Sequence, residues 1–184
     1  TAKYTSMLFN SVTDAGIYYN SCVQTTGNSG YAVLEVRSCA SLKMQNNTYS
    51  KTGAGRVVYL SFTGQFSVSD HNNFYKTLSD TLFKISTTTH YNTLSAYATA
   101  TSLESGSWSG DPMFNSSTDL HTTSSPTLNA HAVAIAGITT DIDGDLRNGS
   151  TPDIGSDEFT IVGISNDVQL VSVFSSPSTC GGLK

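Results

Sequence analysis

The sequence predicts an all-β fold, a right-handed parallel β-helix, from three observations. Short strand-like segments alternate apolar and polar residues through the first hundred positions. Helical periodicity is nearly absent, and the strands recur at a fixed interval. A single repeat of about 20 to 30 residues cannot bury its own apolar face, so successive repeats are expected to stack as the coils of a solenoid.

The clearest repeat is a strand pair that ends in two asparagines, a variable residue and a tyrosine. The interval from Asn46 to Asn72 equals the interval from Tyr49 to Tyr75. A looser copy ends at Asn20. Because asparagine tolerates left-handed backbone, we expect these residues at a corner of each coil, bonded to the next coil. We expect Tyr49 to stack on Tyr75 at the spacing of neighbouring strands.

The pattern divides the chain into three segments. Residues 1–79 are the β-helix coils, 80–160 a terminal coil and capping segment, and 161–184 a linker and the start of a following β module. The middle segment is rich in turns, as the atypical end of a solenoid requires. Within it, Asn92 or Thr93 is expected to cap one short helix.

Three cysteines are an odd number for a secreted chain. Cys22 and Cys39 are predicted to form a disulfide, the alternative being three reduced, partly buried thiols. Pairing leaves Cys180 alone, which favours a partner beyond Lys184. The chain also begins in strand-like sequence, without an initiator Met or a secretory signal. We therefore expect it to be a segment of a longer polypeptide.

The composition predicts a location outside the cell. The 184 residues include 28 Ser and 25 Thr, whereas only 12% are charged. A net charge of −5 argues against a basic nucleic-acid footprint and against a polybasic membrane-binding patch. No apolar run is long enough to span a bilayer. We expect a secreted or bacterial cell-surface protein with neither a nucleic-acid partner nor membrane insertion.

Five strings occur in order and carry a family resemblance: Tyr91–Leu94 (YNTL), Gly110–Phe114 (GDPMF), Ser125–Pro126, Asp141–Arg147 (DIDGDLR) and Pro152–Phe159 (PDIGSDEF). Together they resemble the C-terminal part of secreted right-handed β-helix proteins of the choice-of-anchor Q domain type, common in Bacteroidetes. The family more often has Ala at Ser156. The resemblance implies that the last string ends the β-helix. It also implies that an immunoglobulin-like module, whose first strand lies in 161–184, or a sorting domain for type IX secretion follows.

One acidic cluster predicts a cation site. Asp141, Asp143 and Asp145 alternate along the chain, and Asp153 follows a few residues later. Carboxylates in such a pattern can converge on Ca²⁺, which prefers six to eight oxygen ligands. The alternative is a capping turn, with the Asp side chains bonded to backbone N–H groups and Arg147 paired with an Asp. Ca²⁺ is the one cofactor that the sequence suggests.

The sequence predicts no catalytic residue. Asp70 and His71 form the best candidate pair, but a solvated or ladder-forming corner of a coil explains them better. The chain contains 9 Tyr and 8 Phe, and those that face outward are candidates to stack on sugar rings, although most are expected in the core. Thr81, preceded by Asp80, resembles the Bacteroidetes O-glycosylation pattern, which implies a glycan on its hydroxyl.

We therefore predict a non-catalytic structural or adhesive segment of a large secreted or cell-surface protein, with carbohydrate binding as one role. Its partners would be further domains of the same polypeptide and a surface polysaccharide. The alternative is the C-terminal part of a β-helix polysaccharide lyase or glycoside hydrolase. In that case the catalytic coils would lie before Thr1.

Overall fold

A computed structural model describes residues 5–25, 30–78 and 81–161. These residues form eleven strands and one helix: β1 Met7–Asn10, β2 Gly16–Tyr18, β3 Ser21–Gln24, β4 Ala32–Arg37, β5 Leu42–Gln45, β6 Thr48–Lys51, β7 Arg56–Leu60, β8 Phe66–Asp70, β9 Asn73–Lys76, β10 Phe83–Ile85, β11 Thr89–Tyr91 and α1 Leu94–Thr101.

The chain passes through three sheets in turn. The first sheet has the order β1-β4-β7-β10-β11, the second β2-β5-β8 and the third β3-β6-β9. Every strand pairing is parallel except that of β10 with β11. Three consecutive strands therefore make one coil, and each strand pairs with its equivalent in the next coil. The fold is all-β and solenoid-like.

The register corrects the predicted stacking of Tyr49 on Tyr75. In the third sheet Tyr49 pairs with Phe74 instead, and their ring centroids lie 5.8 Å apart. The repeat of the Asn-Asn-x-Tyr string is therefore one residue out of step with the strand pairing. Because side chains alternate between the two faces of a strand, this single residue moves Tyr75 to the outer face.

An aromatic stack runs through the interior of the coils. Phe74 contacts Phe83 with ring centroids 4.7 Å apart, and Phe83 stacks on Tyr97 at 3.9 Å with nearly parallel planes. These rings are almost fully buried. Tyr97 comes from α1, which covers the last coil beside the antiparallel strand β11. This end of the solenoid is therefore closed.

The short helix confirms one local prediction. The Thr93 side chain accepts a hydrogen bond from the Ala96 backbone N–H at 3.2 Å, so Thr93 is the N-cap of α1. The helix ends at Ser102, which adopts the left-handed conformation and donates its N–H to the Ala98 carbonyl.

A column of asparagines links the coils at the corner between the second and third sheets. The Asn47 side-chain oxygen accepts from the backbone and the side chain of Asn20, at 3.0 and 2.8 Å. The Asn72 oxygen accepts in the same way from Asn47, at 3.0 Å in both cases. The Asn72 amide then donates to the Glu104 carboxylate at 3.1 Å. We call this column the asparagine ladder.

Glu104 ends the asparagine ladder inside the protein. Its side chain is almost completely buried, and its carboxylate also accepts from the hydroxyls of Ser69 and Ser107. Three donors therefore meet one carboxylate with no cation beside it among the ion pairs of the described residues. Burial in this position disfavours the ionised form.

The segment that follows α1 does not continue the stack of coils. Its later part packs along the outside of the corner, where a second core contains Tyr19, Leu128, Ala132 and Ile154. Asn46 fixes it in place, because its amide group exchanges two hydrogen bonds with the backbone of Val133, at 2.7 and 3.1 Å. This segment therefore reaches back as far as the first coil.

The two ends of the solenoid differ. Within the described residues, β1, β2 and β3 are each the outermost strand of their sheet. Met7 and Phe9 of β1 are only partly buried, whereas Leu34 and Val36, their partners in β4, are fully buried. The first coil thus presents an open strand edge and part of its apolar interior.

We expect Asn47→Ala to lower the free energy of unfolding by about 2 to 4 kcal/mol. The substitution removes the acceptor of the Asn20 N–H and a side-chain donor to the carbonyls of Ile17 and Gln45, all in or beside the interior. The matched control Asn10→Ala, at an exposed position, should change it by less than about 0.5 kcal/mol. Urea unfolding followed by circular dichroism measures both. Equal effects of the two substitutions would contradict a structural role for the ladder.

Burial raises the pKa of Glu104 to about 7 from an ordinary value of 4.5. Between these pH values the folded state holds more protons than the unfolded state, so the free energy of unfolding falls as pH rises. In the wild type, this fall in the free energy of unfolding should be on the order of 3 kcal/mol. We expect Glu104→Gln to remove the fall, whereas the control Asp14→Asn, at an exposed position, should retain it. Unfolding in urea at pH 4.5 and pH 7 makes the comparison. An identical pH dependence in both variants would show that Glu104 does not titrate in this range.

Candidate functional site

The outer face of the third sheet carries a shallow groove of about 260 Å³. We call it the hydroxyl groove; it is lined by Val23, Thr25, Ser50, Thr52, Tyr75, Thr77, Asp111, Pro112, Phe114, Ser116 and Ser117. One wall is the sheet, and the other is the chain segment that follows α1. The groove crosses all three coils, because each coil contributes residues from the end of its third strand.

Strand alternation determines which side chains line the hydroxyl groove. Ser50 pairs with Tyr75 across two coils, while their neighbours Tyr49 and Phe74 point into the core. Thr52 and Thr77 directly follow the ends of β6 and β9, and Thr25 holds the same place after β3. Three threonines therefore succeed one another along the groove, one to each coil.

Tyr75 and Phe114 supply aromatic surface to the hydroxyl groove. The pKa of Tyr75 is raised, first by partial burial and then by the Asp111 carboxylate beside it. Asp111 is itself held by its neighbourhood, since its side chain accepts from the Met113 N–H at 2.9 Å. The groove thus combines an aromatic ring, a carboxylate and a row of hydroxyls, with no Lys or Arg among its lining residues.

The predicted calcium ligands lie in the segment that packs along the corner, and Asp141 holds a turn there. One Asp141 oxygen accepts from the N–H groups of Asp143 and Asp145, both at 2.9 Å. The other accepts from the Glu158 N–H at 3.0 Å. These bonds lower the pKa of Asp141 against the opposing effect of desolvation. Asp141 therefore makes the hydrogen bonds to local backbone N–H groups that the capping-turn alternative predicts.

Asp153 is buried and is also bonded to backbone. Its two oxygens accept from the N–H groups of Ala130, at 2.6 Å, and Phe159, at 2.7 Å. Burial raises its pKa to about 6. Arg147 lies next to it but forms its ion pair with Glu158, at 3.3 Å, rather than with an Asp. The same guanidinium lies 3.9 Å above the Tyr19 ring, which joins this segment to the first coil.

The four predicted calcium ligands do not share one cavity. Asp145 and Asp153 line an open cleft of about 690 Å³, and neither Asp141 nor Asp143 is among its lining residues. The side chain of Asp143 lies instead 2.8 Å from His121. The calcium site over these residues stays a prediction.

The sequence analysis missed His121 because it considered each histidine by itself. His121 lies 22 residues before Asp143, and only the folding of the segment brings the two together. The sequence does contain one indication of this site, because Asp119 and His121 lie two residues apart in a turn-like stretch. The hydrogen bonds that the His121 ring makes to the carboxylates of Asp119 and then Asp143 raise the pKa of His121 to about 9.

The predicted disulfide is wrong, because Cys22 and Cys39 are both free thiols. Cys22 lies in β3, where burial raises the pKa of its thiol to about 11, whereas Cys39 follows β4 at another corner of its coil. The Cys39 thiol donates to the Arg37 carbonyl at 3.2 Å. Cys180 lies outside the described residues. Thr81 is half-buried just before β10, and its glycosylation stays a prediction.

Asp70 and His71 occupy the corner of the last full coil. The Asp70 carboxylate accepts from the N–H groups of His71, at 3.0 Å, and Gly106, at 2.6 Å. His71 adopts the left-handed backbone conformation. Asp70 therefore fastens the loop after α1 to the coil, in keeping with a structural corner.

No protein-family model, curated protein or solved structure matches this chain. Within residues 5–25, 30–78 and 81–161, no helix combines the length and the apolar character that a membrane span requires.

Asp141→Asn distinguishes the capping turn from a calcium site. Because Asn keeps one acceptor oxygen but directs an NH₂ group at a backbone N–H, we expect a loss of about 1 to 3 kcal/mol in the free energy of unfolding. The loss should be the same in chelator and in millimolar calcium. The matched control Asp145→Asn, at an exposed side chain, should change little. A loss seen in calcium alone would support the metal instead.

Proposed function

We propose that this chain is a non-catalytic structural or adhesive segment of a larger secreted or cell-surface protein, and that it binds a neutral polysaccharide in the hydroxyl groove. The observation that carries the proposal is the groove itself. It runs across three coils and presents an aromatic ring beside a row of threonine hydroxyls. An extended ligand made of repeating units suits a surface that is itself built from repeats.

The chemistry of the groove favours a sugar ligand. The face of Tyr75 offers a flat apolar surface for the C–H face of a pyranose ring, and the threonine and serine hydroxyls both donate and accept hydrogen bonds. Asp111 adds an acceptor for ring hydroxyls. Because the lining residues include a carboxylate and no Lys or Arg, a neutral glycan fits better than an acidic one.

The residues that line the hydroxyl groove also favour binding of a glycan without catalysis. Glycoside hydrolases commonly need two carboxyl groups placed on either side of the scissile bond. Asp111 is the one carboxylate among the residues that line the hydroxyl groove, and it already accepts a hydrogen bond from the Met113 N–H. The groove is therefore suited to hold a glycan rather than to cleave it.

The proposal includes the handedness and family of the fold. Successive parallel strands such as β1 and β4 are joined by long crossovers, and connections of this kind are right-handed in nearly all proteins. A right-handed parallel β-helix is therefore the form we propose. Kinship with choice-of-anchor Q domain proteins, and export by type IX secretion, rest on the five sequence strings.

The open first coil supports membership of a longer polypeptide. The outer edges of β1, β2 and β3 pair with no strand in the part of the chain that the structure describes. A preceding coil would cover these edges and would also bury Met7 and Phe9. The same observation favours the second candidate, a β-helix lyase or hydrolase with its catalytic coils upstream. Intact-mass analysis and peptide mapping of the native protein test this membership, on which both candidates depend: peptides that precede Thr1 support it, and a native mass of 19.5 kDa contradicts it.

We expect Tyr75→Ala to weaken the binding of a neutral oligosaccharide by about tenfold or more, equivalent to about 1.4 kcal/mol. The matched control Tyr59→Ala, on the first sheet, should bind as the wild type does. A glycan array identifies the ligand, and isothermal titration calorimetry measures the affinities. If no neutral glycan binds the wild type at millimolar concentration, or if both variants lose equally, the groove is not the binding site.

A further inference from the structure

One histidine and three carboxylates meet on the surface of the segment that packs along the corner. The His121 Nδ1 atom lies 2.5 Å from an Asp119 oxygen, and its Nε2 atom lies 2.8 Å from an Asp143 oxygen. Asp157 completes the group: ligand atoms of His121, Asp143 and Asp157 all lie within 4.8 Å of one another. We call these three residues the His121 cluster.

Each member of the His121 cluster is placed by its own backbone contacts. Asp157 accepts from the Thr122 N–H at 3.0 Å, which fixes this carboxylate next to the loop that carries His121. Asp143 lies within the turn that Asp141 holds, and its N–H donates to the Asp141 carboxylate at 2.9 Å. The side chains of His121 and Asp143 are about half exposed, so small rotations are open to them. The backbone therefore brings the three ligands together from segments distant in sequence.

We propose that the His121 cluster binds a divalent transition-metal ion, with Zn²⁺ as the representative. Zinc takes histidine nitrogen at about 2.0 to 2.1 Å and carboxylate oxygen at about 2.0 to 2.2 Å, which ligand atoms at these separations can reach after small side-chain rotations. Asp119 adds a specific feature: a carboxylate that accepts the Nδ1–H of a metal-binding histidine orients the ring and directs Nε2 at the ion. Water would complete the coordination.

The charge of the group favours a cation of this kind. Asp119, Asp143 and Asp157 bring three negative charges, and none of them pairs with a Lys or Arg of the described residues. A protonated His121 offsets only one of them. On metal binding the Nε2 proton leaves to solvent, and the ion replaces it between the imidazole and the carboxylates. An imidazole ligand suits zinc and other first-row transition metals such as copper and nickel, whereas Ca²⁺ prefers oxygen ligands.

The test uses the full chain after removal of metals with a chelator. Zn²⁺ titration is followed by isothermal calorimetry, and Co²⁺ titration by visible absorption, which reports the ligand set directly. We expect one ion per chain. His121→Ala and Asp143→Asn, both at exposed side chains, should weaken binding by about 10- to 100-fold or more and remove the cobalt spectrum. His90→Ala, which removes an exposed histidine elsewhere, should bind as the wild type does.

Circular dichroism in chelator shows whether each variant remains folded, and one folded variant of the two is sufficient for the comparison. The proposal is overturned if the wild type binds neither ion. It is also overturned if binding persists unchanged in the folded variants, or if Ca²⁺ binds more tightly than Zn²⁺ and does so without His121. These outcomes are independent of glycan binding, because the His121 cluster shares no residue with the hydroxyl groove.

Discussion

The asparagine ladder is the constraint on which the rest of the fold depends. In a solenoid the apolar interior alone tolerates a slip of one coil against the next by an even number of positions, since the alternation of side chains is preserved. Asn20, Asn47 and Asn72 remove that freedom, because their amides, of which those of Asn47 and Asn72 are fully buried, have bonding partners in one register only. A slip would leave several buried polar groups without partners at once, at about 1 to 3 kcal/mol each.

The register set by the ladder also determines the outer surface. With Asn47 bonded to Asn72, Tyr49 and Phe74 stack inside and Tyr75 is directed outward. The hydroxyl groove therefore follows from a polar contact in the interior of the molecule. Glu104 ends the ladder with a buried carboxyl, so the contact that fixes the last coil is also sensitive to pH.

The acidic residues of the later segment have two distinct roles. Asp141 and Asp153 use both of their oxygens on backbone N–H groups and thereby shape turns that lack regular secondary structure. Asp143 and Asp157 meet His121 at the surface, where their charge is not balanced by a basic side chain of the described residues. A single acidic stretch thus supplies the scaffold of a loop and the ligands of the proposed metal site.

The sequence by itself determined the all-β class, the stacked coils and a short helix capped at Asn92 or Thr93, because these depend on alternation, spacing and short-range capping. It also indicated that asparagines mark a corner. Only the tertiary structure decided the register of one coil against the next, because successive coils differ in loop length. The repeat of the Asn-Asn-x-Tyr string does not reveal that the strand pairing is shifted from it by one residue. The tertiary structure also brings the residues of the His121 cluster together. Contacts between distant parts of an irregular segment leave no periodic pattern in the sequence from which they could be predicted.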